Sequence, residues 1–424
     1  MSYQIGDFVK VEKDGTVFEG HAISGDVGYI TLKMTGGGYV AGFLETDVKI
    51  TVLKQNDAKT TAIAPKDAAK PSGKAAAKKK QKITIVSAGG TIACSLNPET
   101  GAMSPQFSAA DLLSEVPELE TIADIQTRDV FQLLSENMKP SHWIMLAEAV
   151  YDEISKGADG IIITNGTDTM TYAAAALAYM IETPVPIVFT GAQRSPDRPG
   201  SDNHMNLLCA ARTAVSDIAE VLLVMHGSMS DTFCFVHRAV KTRKMHTSRR
   251  DTFKSVNMQP LASVDYKSGE WTVTSEYVPY TKRGEKKLSL KPELDSRCAI
   301  VKFVPGADPA ILDYYSEKGC KGIVIEGVGL GHVSEEWISA IQKLTDQKIP
   351  VIVTSQCIYG ATALNTYETG FKMKKAGVVE ALDQLTESVY VKLMWLLGQG
   401  FDYEKVKELI VTEMKGDMSL MIID

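Results

Sequence analysis

The sequence predicts an α/β protein: a two-lobed core built on parallel sheets, preceded by a small all-β, barrel-like module. Three observations carry that prediction. Two runs of β-branched residues, Ile83-Thr84-Ile85-Val86 and Ile161-Ile162-Ile163, each end shortly before a glycine turn, Gly89-Gly90-Thr91 and Gly166-Thr167-Asp168-Thr169. Strand-like runs then alternate with helical patterns through most of the chain, the signature of β-α-β units and a doubly wound sheet. The first 55 residues differ from the rest, with apolar and polar positions alternating and little helical period.

Residues 1–55 read as short strands, with Ile30, Leu32, Met34 and Val48, Ile50, Val52 marking one face. Glycines at 15, 25, 28 and 36–38 supply the tight turns, which suits a small barrel. Such a module docks RNA or a partner protein, or it is a structural appendage. Residues 56–81 collapse into Ala, Lys, Pro and Thr and run into Lys78-Lys79-Lys80-Gln81-Lys82 at the lobe boundary, a basic linker with nothing to bury. The larger lobe follows at 82–280, with strands expected at 83–87, 160–164, 186–190 and 221–226. Ser141 is placed to cap a helix that stops near Gly157, and an alanine-rich helix is expected from Thr171 to Glu182. A polar stretch at about 265–296 separates the smaller lobe, 296–424, with strands at 299–304, 322–326 and 350–354. Amphipathic helices over Val389–Leu397 and Tyr403–Thr412 close the chain.

Composition narrows the class. At 424 residues, with 44% hydrophobic and 23% charged residues, the chain is long enough for two or three cores. A net charge of -7 argues against coating nucleic acid through bulk charge. The six cysteines are scattered, with no Cys-x-x-Cys pair and no histidine at ligand spacing, so reduced thiols are expected and no metal site. With no signal peptide and no membrane-spanning apolar run, the expectation is a soluble cytoplasmic protein that engages no membrane.

In open parallel sheets, ligands bind at the carboxyl ends of the strands. The two glycine-threonine runs therefore bring Thr91, Thr167 and Asp168 toward one crevice. Taken alone, Asp168 reads first as a helix cap, a carboxylate placed where the helix dipole favours negative charge. Lys244, in the basic run Arg243-Lys244-Met245-His246-Thr247-Ser248-Arg249-Arg250-Asp251, reads alone as a surface lysine. Beside a threonine and an aspartate it would ease deprotonation of the hydroxyl. Gly327-Val328-Gly329-Leu330-Gly331 invites a dinucleotide reading, but position 332 is His where a third glycine is needed, so the run reads as a turn.

Four motifs occur in order: Gly89-Gly90-Thr91-Ile92-Ala93, Thr164-Asn165-Gly166-Thr167-Asp168-Thr169-Met170, Gly191-Ala192-Gln193-Arg194 and Phe253-Lys254-Ser255-Val256-Asn257. With them, residues 82–424 resemble the bacterial-type L-asparaginase family across both lobes. The resemblance implies an asparaginase-like fold and a threonine nucleophile that attacks the side-chain amide of asparagine or glutamine. On that reading Thr91 forms the acyl-enzyme and releases ammonia, although the choice between the two threonines stays open. Thr167, Asp168 and Lys244 relay protons and activate the water that resolves the ester. Ser135 and Glu136 hold the α-carboxylate and α-amino group. Three residues depart from the family pattern: Ala88 for a threonine, Glu136 for a glutamine, and Leu330 for an asparagine that a neighbouring subunit supplies in tetrameric relatives. The charge of Glu136 leaves the preference between glutamine and asparagine open.

The N-terminal module, the basic tether and residues 244–251 are similar to the D-subunit family of archaeal glutamyl-tRNA(Gln) amidotransferases. That resemblance implies hydrolysis of glutamine to glutamate and ammonia. A partner E subunit, using ATP and Mg, would activate the glutamate carried on tRNA(Gln) and consume the ammonia, so no cofactor is expected on this chain. It also implies a D–D homodimer core within a D/E heterotetramer. The competing readings are a free-standing cytosolic L-asparaginase and a non-catalytic RNA-docking scaffold. The intact set Thr91, Thr167, Asp168 and Lys244 argues against the scaffold.

Overall fold

The computed structural model describes residues 3–4, 6–13, 15–23, 29–34, 40–55, 80–90, 92, 94–96, 103–105, 108–196, 200–274 and 279–419. The expected turns at Gly25, Gly28 and Gly36–Gly38, most of the 56–81 linker, and Thr91 lie outside the described residues.

The N-terminal strands Phe8–Lys13, Thr16–Ile23, Tyr29–Met34, Val40–Leu44 and Lys49–Lys54 form one antiparallel sheet. Its first strand sits between the second and the fifth, and the third and fourth extend the second. Val9, Val11, Ala22, Ile30, Leu32 and Phe43 form its core.

In the larger lobe, an eight-stranded sheet runs in the order Trp271–Val273, Ala262–Asp265, Phe233–Arg238, Val221–His226, Ile187–Thr190, Gly160–Thr164, Lys82–Gly89, Asp124–Leu133. The last five of these are parallel, and the first three join as antiparallel hairpins. The sheet is thus mixed where a parallel one was expected. The expected dividing stretch from 265 begins inside this antiparallel extension.

The central strands are buried on both faces, which is why they read as unbroken apolar runs. Alternate residues serve opposite layers. Ile161, Ile163, Ile187 and Phe189 face the cluster under the helices Pro140–Ser155 and Met170–Met180. Ile83, Ile85, Ile162 and Val188 face the cluster under Asn203–Ala214 and Ala109–Glu115.

Several helix boundaries differ from expectation: the last two helices span Thr386–Gly398 and Tyr403–Ile410, and two other ends move for a visible reason. Lys139 holds the N-cap position of Pro140–Ser155, and its N–H donates to His142 Nδ1 at 2.9 Å. Pro140 takes the first helical position, where its missing N–H costs nothing, and this moves the start ahead of Ser141. The alanine-rich helix ends at Met180 because Ile181–Glu182 turns out to pair with Ser289–Leu290 as a short antiparallel ladder.

The smaller lobe is a parallel sheet in sequence order, Cys298–Lys302, Gly322–Gly327, Val351–Ser355, Val379–Glu380. Ala310–Glu317 and Trp337–Asp346 pack on one face, and Thr386–Gly398 and Tyr403–Ile410 on the other. Gly329 and Gly331 hold positive φ between bridged Val328 and His332, a turn as expected. Val391 and Met394 join the larger lobe's core, so the helix Thr386–Gly398 serves both lobes.

Candidate active site

Among the parallel strands, Lys82–Gly89 comes first in the chain but lies between Asp124–Leu133 and Gly160–Thr164. The chain leaves Lys82–Gly89 toward Asp124–Leu133 on one side and leaves Gly160–Thr164 toward Ile187–Thr190 on the other, so the sheet has a switch point between these two strands, where a crevice opens beyond the carboxyl ends. Thr164 pairs with Ser87 in register, which brings the two expected motifs side by side.

Glycines let these ends touch. Gly90 has φ +85, donates its N–H to Leu133 O at 3.0 Å, and lies so close to Gly166 that a Cβ would stand 2.2 Å from the Gly166 nitrogen. A Cβ on Gly166 would stand 2.6 Å from Ser135 Cβ. Ser135 lies on the 3-10 turn Ser135–Asn137 that follows the strand Asp124–Leu133, and its carbonyl accepts from Thr169 Oγ1 at 2.8 Å. Ser135 is buried, whereas Glu136 is exposed on the same turn.

Lys244 arrives on Thr242–Lys244, paired antiparallel to Phe253–Ser255. Its Nζ donates to Thr167 Oγ1 at 2.9 Å and to Asp168 Oδ1 at 2.5 Å. Its side chain is 13% exposed and that of Asp168 is 67% exposed. An ion pair that open adds little stability, so its consequence is orientation. An ammonium on the Thr167 oxygen favours the alkoxide as that hydroxyl gives up its proton. The structure therefore brings Ser135, Thr167, Asp168 and Lys244 together and sets Glu136 at the edge, while Thr91 lies outside the described residues.

The segment carrying Lys244 is held from the smaller lobe. Arg243 Nε lies 3.3 Å from Glu387 Oε1, and burial raises the Glu387 carboxyl against the lowering pull of that guanidinium. Lys241 Nζ meets Asp383 Oδ2 at 2.6 Å with both side chains out of solvent. Ser388 Oγ donates to Val240 O at 2.6 Å.

Residues the sequence did not single out support the Gly191–Arg194 turn. Asp202 stands at the N-cap position of Asn203–Ala214 but points backward, accepting from Gln193 N and Arg194 N at 3.0 Å. Asn206 Nδ2 donates to Gly191 O at 2.9 Å. An asparagine one turn into a mostly buried helix was the available signal, since asparagine is unfavourable there without a partner.

A cavity of about 780 Å³ opens elsewhere, lined by Ala219, Glu220 and Val221 at the amino end of their strand and by Met414, Lys415 and Gly416. Among the described residues, no group of three or more His, Cys, Asp or Glu side chains could hold a metal ion, and no helix is long and apolar enough to cross a membrane.

Comparison with known proteins adds to this geometry. The chain matches the family model "Asparaginase, N-terminal" over residues 82–278 and "Glutaminase/Asparaginase C-terminal domain" over 297–410. It is 51% identical over 429 residues to the glutamyl-tRNA(Gln) amidotransferase D subunit of Methanosarcina acetivorans, covering 99% of each chain. It is 52% identical over 424 residues to the protein of the same name from Methanosarcina mazei, again with 99% of each covered. Among solved structures, the thermostable L-asparaginase of Thermococcus kodakarensis aligns with TM-score 0.70 at 30% identity, covering 80% of this chain and 99% of that one.

Proposed function

Because this chain belongs to the asparaginase family, among the D subunits of glutamyl-tRNA(Gln) amidotransferases, we propose that it is a glutaminase working inside a tRNA-dependent amidotransferase. It hydrolyses glutamine with water to glutamate and ammonia, and the ammonia converts Glu-tRNA(Gln) to Gln-tRNA(Gln). The observation that carries the reading is the Lys244–Thr167–Asp168 cluster, assembled at the switch point from residues 76 and 77 positions apart.

In this reading Thr91 Oγ attacks the side-chain amide carbon, the C–N bond breaks as the proton given up by the Thr91 hydroxyl is delivered to nitrogen, and ammonia leaves. Water then attacks the ester, its proton passes by way of Thr167, Asp168 and Lys244 to Thr91 Oγ as the ester C–O bond breaks, and this returns Thr91 and frees glutamate. Ser135 and Glu136 hold the α-carboxylate and α-amino group. ATP and Mg act on the partner E subunit, which activates the tRNA-bound glutamate, and this chain needs no cofactor of its own. The complex works in the cytoplasm.

A D–D dimer core is supported by apolar side chains left exposed at the carboxyl ends of the smaller sheet: Val328, Ile358, Tyr359, Tyr367, Phe371 and Leu382. Single exposed apolar residues are ordinary, whereas a cluster marks a contact surface. The free-standing asparaginase reading is disfavoured by coverage. The aligned L-asparaginase structures reach 79–81% of this chain, while the two Methanosarcina relatives reach 99%.

The test measures ammonia release from glutamine and from asparagine, with the chain alone and with its E partner plus Glu-tRNA(Gln). Full turnover of glutamine only in the complex is expected, and brisk asparagine turnover by the chain alone would sink the reading. Thr91→Ala should abolish ammonia release while the complex still assembles.

A further inference from the structure

We propose that His226 positions the hydrolytic site by donating from both ring nitrogens, tying the Gly191–Arg194 turn to the segment that carries Lys244; the inference rests on the glutaminase reading. His226 ends the strand Val221–His226 and is completely buried. Its Nδ1 lies 2.6 Å from Asn206 Oδ1 and its Nε2 lies 3.2 Å from Asp231 Oδ1.

The hydrogen-bond directions follow from the neighbours. Asn206 Nδ2 gives its hydrogens to Gly191 O at 2.9 Å and Asp202 Oδ2 at 3.0 Å, so Oδ1 is the atom it turns to His226, and that atom only accepts. The Asp231 carboxylate also accepts. Each ring nitrogen therefore carries a hydrogen. The charged and titratable groups around the ring are Asp231 on the following turn, Arg250 beyond it, Asp202 behind Asn206, and Cys234 on the adjacent strand. Arg250 Nη1 donates to the same Asp231 oxygen at 2.7 Å, and Cys234 Sγ lies 3.6 Å from Asn206 Oδ1.

Both ends of this strut reach the proposed chemistry. At one end, a Cβ on Gly191 would stand 3.1 Å from Thr167 Cγ2, so the carbonyl that Asn206 fixes belongs to a residue packed on Thr167. At the other, buried Arg250 anchors the hairpin that begins at Lys244, closed by Met245 N to Thr252 O at 2.7 Å and His246 N to Thr252 Oγ1 at 3.0 Å. Arg250 Nη2 also donates to Gly200 O. The strut and the Lys244–Thr167 hydrogen bond thus form a closed ring of contacts, and a break in the strut shifts Lys244 against Thr167. Ser135 and Glu136 enter from a different strand end, and none of the strut's hydrogen bonds named above goes to either.

The experiment combines spectroscopy with kinetics. With ¹⁵N-histidine labelling of the full chain, the His226 ring, assigned by its loss in His226→Gln, should show both nitrogens protonated; a neutral single tautomer overturns the proposal. An asparagine amide can replace the Nδ1 donor and a glutamine amide the Nε2 donor. In the D/E complex, His226→Asn and His226→Gln should each lower kcat about 10-fold to 100-fold, as expected for small displacements of reacting groups, with KM for glutamine nearly unchanged. Asp231→Ala, at a side chain 51% exposed, should lower kcat in the same direction if the buried variants fail to fold. Folded variants with the wild-type kcat overturn the proposal alone. A wild-type complex that hydrolyses asparagine but not glutamine overturns the glutaminase reading, and the kcat comparison is then made on asparagine.

Discussion

At the scale of single residues, His237 shows what burial does to a base that has no carboxylate partner among the described residues. It is buried on Phe233–Arg238 with Nδ1 on Ser255 Oγ at 2.8 Å, and burial, followed by the Lys254 charge, pulls its pKa down to about 3. A base depressed in the folded state stays neutral there while the unfolded chain takes up a proton below its ordinary pKa of about 6.5. Its contribution to stability is therefore complete above about pH 6.5 and lost as the pH falls towards about 3. The urea midpoint should drop across that window, and the drop should be smaller in His237→Asn, measured by circular dichroism. Glu153 adds to acid lability in the same direction. Burial would raise its carboxyl, but hydrogen bonds from Lys156 and Arg128 outweigh that and hold it below the usual carboxylate range. Of these residues, Thr167, Asp168 and Lys244 were legible in the sequence because they belong to local motifs. Asp202, Asn206 and His226 were not, because their partners come from separate elements and only the fold makes them neighbours.

At the scale of elements, the site depends on strand ends that only glycine allows to meet. Gly90→Ala places a side chain where φ is +85 and backbone lies 2.2 Å away, and Gly166→Ala drives a methyl into Ser135. Both should lower kcat for ammonia release, and Gly90→Ala should also lower the thermal midpoint. Gly157→Ala is the control. It has φ +95 but open space around it, so it should cost stability of about 1–3 kcal/mol through backbone strain and leave turnover unchanged. Elements were unevenly legible. Gly160–Thr164 and Val221–His226 announce themselves as continuous apolar runs because both faces are covered. Asp124–Leu133 is an edge strand whose residues are mostly exposed or half-buried, so it carries no apolar signal, and its place was missed. The hairpins that extend the opposite edge were missed for a related reason. Ala262–Asp265 and Trp271–Val273 are too short for period alone to mark them.

At the scale of the whole molecule, the two lobes are joined by charge as well as by apolar packing. Burial pulls the pKa of Lys241 down and the Asp383 carboxylate opposes it. Asp383 also accepts from Ser419 N at 3.1 Å, while its carbonyl receives Lys241 Nζ at 3.1 Å and Asn257 Nδ2 at 3.2 Å. Asn257, at φ +57, exchanges two hydrogen bonds of 2.9 Å with Gly360. Removing one partner of such a pair strands the other charge, so Asp383→Leu should cost about 3–5 kcal/mol, and Lys241→Met with Asp383→Leu should recover part of it. Calorimetry of the single and double variants checks both. The buried pair bears on inheritance too. The two lobes match separate family models and look like modules that could be exchanged. Yet a gene that acquired the larger lobe alone would receive an interior lysine without its anion, and one that acquired the smaller would receive an aspartate without its cation. Fusion or shuffling that keeps this pair satisfied therefore carries the two lobes as one unit.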